Sequence, residues 1–269
     1  MLFMKNKTRG RLTILVVWCL IAFSWPRPTV EGGTMTWQQP QTIFSSGDVS
    51  VSGALAAALN IGPGGGTVST TINGVTFTPW NFPAVDFSQS TSSTSLNQYT
   101  FTMTADAGSS LWSRTATSTA APYSALAPEY KTLLATAGAA QDFDGSRPMT
   151  LTIGGLAIGQ QYLFQWWSDR SDADSGVARA TAGGVVNLSY NTTGSSGGVG
   201  QYGVGTFVAD ATTQNVVFDA QNGSTSGSYG WINGFQIRVV PEPSTTGLGA
   251  LVMLAVWRCG AWRRRRRSG

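Results

Sequence analysis

Few side chains in this sequence can carry chemistry, and the most informative type is missing. None of the 269 residues is histidine. That removes Ser-His-Asp and Cys-His nucleophilic mechanisms, along with the commonest metal ligand. Gly194-Ser195-Ser196-Gly197-Gly198 has the letters of a nucleophile elbow, yet it lies in a Gly/Ser-rich stretch with no base to activate Ser196. Gly62-Pro63-Gly64-Gly65-Gly66-Thr67 lacks the lysine and following helix of a phosphate loop and reads as a turn. Both cysteines, Cys19 and Cys259, sit in apolar terminal segments, so the body has no disulfide framework or thiolate metal site.

Carboxylates and aromatics remain. Asp169, Asp172 and Asp174, followed by Gly176, form the densest acidic cluster. Alternating oxygen ligands and a glycine turn are what Ca²⁺ loops use, although the downstream bidentate Glu is missing. The same residues suit an exposed turn whose aspartates accept backbone hydrogen bonds. Asp142-Phe143-Asp144-Gly145 is a second, shorter fragment. Glycoside hydrolysis needs only two carboxylates at a set separation. Glu129, the one glutamate of the body, instead sits at an expected helix start, where it suits the dipole. Trp166 and Trp167 are consecutive in an expected strand, so their rings point to opposite faces. Phe164 shares the face of Trp166, and Gln165 that of Trp167. This predicts a core Trp166 and an exposed Trp167, able to stack on a sugar ring, with Trp80, Trp112 and Trp231 as further members of a platform.

These residues must be positioned mainly by strands. Tyr99-Thr100-Phe101-Thr102-Met103 and Met149-Thr150-Leu151-Thr152-Ile153 alternate at period two, as do Val216 to Phe218 and, more loosely, Ile232 to Val240. Thr67 to Ile72, Asn73-Gly74 and Val75 to Thr78 read as a hairpin. Ala54 to Leu59 continues an alternating run and reads as strand. Pro128 to Leu134 reads as the one short helix, with Tyr130, Leu133 and Leu134 on one face, capping a sheet edge. Ser88 to Ser95 and Asn191 to Gly200 are low-complexity stretches too short to separate domains. The expectation is one all-β domain over 34–240, an antiparallel sandwich of about nine strands.

The ends differ from the body. Between residues 32 and 240 there are six basic and eleven acidic residues, a net charge of −5, which argues against a nucleic-acid partner. Residues 1–31 read as a secretory signal peptide: Lys5, Lys7, Arg9 and Arg11 precede the apolar run Leu12 to Phe23. At the other end, Val240-Pro241-Glu242-Pro243-Ser244 leads into apolar Gly247 to Trp257, and then into the cluster Arg263, Arg264, Arg265, Arg266 and Arg267. Prolines end the ladder, and clustered cations are retained on the cytoplasmic side of a bilayer. Thr245 to Trp262 reaches a spanning length if Arg258 snorkels.

This order, over residues 241–269, resembles the PEP-CTERM sorting signal of bacterial envelope proteins. The resemblance implies recognition by an exosortase, cleavage near Pro241-Glu242-Pro243-Ser244, transient residence in the inner membrane through the C-terminal helix, and delivery to the envelope, surface or medium. The runs Leu156 to Arg170 and Tyr202 to Asp210 are similar to strand patterns of the galactose-binding-like, jelly-roll domains found on such proteins. That likeness implies a jelly-roll-like sandwich flanked by an N-terminal signal helix and a C-terminal transmembrane helix, and carries no activity with it. The function expected is that of a non-enzymatic envelope or extracellular-matrix protein that requires no cofactor. The alternatives are a carbohydrate-binding module contacting envelope or matrix polysaccharide, with Ca²⁺ at Asp169, Asp172 and Asp174, and a glycan-active enzyme.

Overall fold

The structure, a computed structural model, describes residues 32–64, 67–83, 89–142, 145–172, 175–221 and 229–241. Residues 1–31, read above as a signal peptide, Asp174, Glu242, Pro243, Ser244, the apolar stretch expected to span a membrane and Arg263 to Arg267 lie outside the described residues.

Alternation of apolar and hydroxyl residues produces two main sheets that bury a shared face. The first runs in the order β1 (Thr36–Trp37), β15 (Gln201–Val208), β12 (Gln161–Ser168), β17 (Gly234–Val240), β3 (Ala54–Pro63), β5 (Val75–Phe82) and β4 (Thr70–Ile72), with β2 (Gln41–Thr42) also on β15. The second runs β14 (Gly184–Ser189), β13 (Val177–Ala182), β16 (Thr213–Ala220), β11 (Met149–Gly154), β7 (Tyr99–Ala105) and β6 (Thr91–Leu96). A small third sheet of β10 (Gly145–Arg147), β9 (Thr136–Asp142) and β8 (Ser110–Thr115) packs beside β3. The fold is all-β, a sandwich with one short helix, α1 (Pro128–Leu134).

Rings from the two main sheets meet in the core. Trp166 of β12 lies 4.9 Å from Phe218 of β16, and Phe235 of β17 lies 5.4 Å from Phe101 of β7. In β7, Tyr99, Phe101 and Met103 are buried while Thr100 and Thr104 are exposed, the alternation of a strand wet on one side. Burying each such aromatic removes it from water at a gain of roughly 1.5–3 kcal/mol.

The Asn73-Gly74 hairpin forms as the sequence predicts. Both residues are left-handed, with φ of 48° and 74°, as a two-residue type I′ turn requires. The reversal also departs from a purely antiparallel sandwich. After β3 the chain turns into β4 and back again, so β5 runs parallel to β3 and pairs with it. The described residues form seventeen strands rather than about nine. Several of the additional ones, such as β1, β2 and β10, are two or three residues long, too short to show periodicity. Low-complexity Thr91 to Leu96 is itself the edge strand β6.

The first sheet is covered on both faces. On its outer side Trp167, Phe77 and Ala58 pack with Ile43, Val49, Tyr123, Tyr130, Leu133 and Leu134 in a second apolar cluster. The helix α1 packs against the edge strand β4, as Thr70 donating to the Glu129 carbonyl shows, and also extends over the sheet face, burying Tyr130, Leu133 and Leu134. Residues 43–53 complete the cover.

Candidate functional site

This cover corrects the expectation for Trp167. The ring is fully buried, at 0 % exposure, as is that of Trp166. It meets Phe77 edge-on at 5.4 Å, and its Nε1–H donates to the Tyr130 hydroxyl at 2.8 Å. Tyr130 in turn donates to Asp48 Oδ2 at 3.3 Å. Burial, reinforced by the Asp48 charge, pushes the Tyr130 phenol well above its usual range, so it stays protonated and serves as a donor. The two rings do face opposite sides of β12. The other side is dry because polar neighbours bind backbone instead of water. Gln165 donates to the Asp48 carbonyl at 2.7 Å and accepts from Ser50 N–H at 2.9 Å. Gln236 donates to the Ser50 carbonyl at 3.0 Å, and Arg238 reaches the carbonyls of Val51, Ser52 and Gly53. Gln165, Gln236 and Arg238 thus fasten residues 48–53 across the sheet as an extra strand would be fastened.

Trp80, Trp112 and Trp231 are also buried. None of the four tryptophans nominated for a sugar platform presents a free face, so that platform does not form.

The acidic cluster is likewise divided. Asp172 gives one oxygen to Arg114 at 2.5 Å and the other to Arg170 at 3.0 Å, and Arg170 lies over the Trp231 ring. Asp169 points inward. Its Oδ1 accepts the Gly200 N–H at 2.6 Å, while its Oδ2 is buried with no hydrogen-bond partner among the described residues. Asp169 and Asp172 therefore do not converge as cation ligands, and no group of three or more His, Cys, Asp or Glu suited to a metal occurs among the described residues. One cation, Arg170, is two residues away in sequence and the other, Arg114, comes from β8, and Coulomb attraction assigned Asp172 to both.

Burial pushes the Asp169 carboxyl well above the ordinary carboxylate range, with the Asp172 charge adding to the rise against the Gly200 hydrogen bond. At low pH the folded and unfolded chains both hold this proton. As pH rises through the ordinary range the unfolded chain ionises first, so stability falls with pH until the folded carboxyl ionises too. Asp169→Asn removes that slope. Denaturant midpoints at about pH 4 and about pH 7 check it: the variant should gain on the parent between the two, whatever its absolute stability. The chain has no histidine to confuse the window. A parallel pair of pH profiles would show that Asp169 is ionised in the fold.

Around Asp169 sits a buried polar node that the sequence reading passed over. Asn233 Oδ1 accepts the Asp169 N–H at 2.6 Å, and its Nδ2 donates to the carbonyls of Leu134 at 2.8 Å and Thr136 at 2.9 Å. Trp231 Nε1–H donates to the Asp169 carbonyl at 2.6 Å. One side chain so ties together the end of β12, the end of α1 and the start of β9. Its signal was a lone amide inside the apolar run Trp231-Ile232-Asn233-Gly234-Phe235.

Among the described residues, the remaining nominated groups do not assemble into a reactive centre. The Ser196 hydroxyl pairs with that of Ser118, at 2.8 Å, and Asp142 pairs with Arg147 at 2.5 Å. Glu129 is in the first turn of α1 and accepts from Ser46 at 3.4 Å. A shallow groove of about 380 Å³ is lined by residues including Thr34, Thr36, Gln161, Thr206 and Asp210, the last of these its one carboxylate. Of the nominated sorting motif, Pro241 is described and exposed, directly after the last strand.

No family model matches this chain, and no curated protein or solved structure was found to be similar to it.

Proposed function

We propose that the chain is an exported, non-enzymatic protein of the bacterial envelope or extracellular matrix, a jelly-roll-like, galactose-binding-like sandwich sorted to the surface by its C-terminal tail. The observation that carries this reading is the placement of Pro241, the first residue of the motif. Strand β17 is paired on both sides, with β12 and β3, up to Val240 and Val239, and the motif begins at the next residue. An exosortase-type enzyme would therefore meet the motif immediately outside the folded body. The apolar run and five arginines then follow in the order expected of a stop in the inner membrane. The non-enzymatic part is supported by the engagement of Asp142, Asp172 and Glu129 with partners, by the sealing of Asp169, and by the lack of histidine.

Replacing Pro241, Glu242 and Pro243 together by alanine tests the proposal. Cell fractionation should find the variant in the inner membrane, with intact mass including Arg263 to Arg267. Arrival at the surface with the parent's processed mass would overturn it.

A further inference from the structure

The lead between body and apolar run is short. From Pro241 to Gly247 is six residues, which reach at most about 20 Å when fully extended. The central strands of the first sheet are longer: β12, from Gln161 to Ser168, spans roughly 25 Å. A body held on so short a lead keeps the end from which the chain leaves nearest the anchoring surface.

That end has a distinct composition. Val208, Gln161 and Val240 lie opposite one another across β15, β12 and β17, and Thr206, Leu163, Arg238 and Leu55 form the row two residues further along the strands. Val208 is 52 % exposed, Leu55 40 % and Val51, beside Arg238, 57 %. Ile158, at the tip of the turn before β12, is 67 % exposed, and the turn is held against β15 and β17 by Gly159 N–H to the Ala209 carbonyl and Gln160 to the Val240 carbonyl. These four account for more than half of the large apolar side chains exposed on the described body. The groups between them are hydroxyls and amides, with Arg238 turned to backbone carbonyls and Asp210 at the margin. Apolar tips among neutral hydrogen-bonding groups suit the boundary between acyl chains and headgroups.

We propose that this end, with Ile158, Val208, Val51 and Leu55 as its apolar contacts, rests on the lipid surface while the tail is inserted. The inference depends on the membrane reading of the tail given above. It adds that the body is oriented, with its chain exit against lipid and the opposite end, around the 191–200 loop, turned away. Such an orientation would hold Pro241-Glu242-Pro243 at the headgroup level, within reach of an enzyme embedded in the same bilayer.

The body has no cysteine, so single-site labelling is available once Cys19 and Cys259 are replaced by alanine. In that background, Ile158→Cys and, at the opposite end, exposed Ser195→Cys would carry a polarity-sensitive fluorophore in the full chain, reconstituted into vesicles of phosphatidylethanolamine and phosphatidylglycerol. With floated vesicles, the Ile158 label should shift to the blue and lose emission when doxyl-labelled lipid is included, while the Ser195 label does neither. Flotation with both labels unshifted would keep the tail in the bilayer and overturn the oriented contact. Equal quenching at both ends would overturn it too. Failure of the protein to float would remove the membrane reading, and this inference with it.

Discussion

Trp167→Ala is expected to destabilise the protein by about 3–5 kcal/mol, a loss similar to that of Trp166→Ala, because both indoles are fully buried. The two losses have different compositions. Trp166 packs between the main sheets against Phe218. Truncating Trp167 empties the second cluster beside Phe77 and also takes the Nε1–H donor from Tyr130. A companion variant separates those parts. Trp167→Phe keeps much of the ring volume and removes the donor, so it should cost less than alanine, with about 1 kcal/mol attributable to the hydrogen bond. Equilibrium denaturation of the three variants decides the matter. A Trp167→Ala loss within about 0.5 kcal/mol, the usual range for surface positions, would mean that the cover of residues 43–53 and α1 does not close over the sheet.

Asn233→Ala should be comparably damaging, at about 3 kcal/mol or more, although it removes far less volume. A buried donor or acceptor left without a partner costs about 1–3 kcal/mol. The alanine variant withdraws the acceptor of the Asp169 N–H and the amide donor to the Leu134 and Thr136 carbonyls. Asn233→Asp gives the sharper control. The shape is retained, yet an ionised carboxylate would face two carbonyl oxygens, so this variant should be weaker at about pH 7 than at about pH 4, where the side chain can hold a proton and donate it. Thermal melts of both variants at the two pH values test the argument. Loss confined to alanine, with Asp tolerated equally at either pH, would show that Asn233 acts by filling space.

Asp169 and Asn233 lie at the same junction, so their substitutions should not add. Each binds the other's side chain or backbone, and contacting residues commonly couple by 0.5 kcal/mol or more. The junction explains why Asp169 and Asp172, two of the three carboxylates considered as cation ligands, are structural. Those two carboxylates are drawn to Arg114 of β8, to Arg170 just after β12 and to the Gly200 N–H just before β15.

Much of the architecture is legible in local sequence for identifiable reasons. The hairpin at Asn73-Gly74 is encoded by two residues that accept a left-handed backbone. The strands β7 and β11 announce themselves because one of their faces is wet, and α1 because Pro128 and Glu129 suit a first turn while Tyr130, Leu133 and Leu134 share a side. The tail's order of prolines, apolar run and arginines is a property of the sequence itself, and the sorting proposal rests on it. The environment of β12 was decided elsewhere. Period-two alternation distinguishes core from solvent only where the second face is solvated. Here Gln165 is matched to the backbone of Asp48 and Ser50 across more than a hundred residues of chain, and Trp167 to Tyr130 across 37. A polar side chain whose hydrogen bonds are met by a distant backbone has no need of water, and nothing adjacent to it in sequence records that partner. So the residues themselves determined a strand with two unlike faces, and only the tertiary structure determined that neither face would be wet.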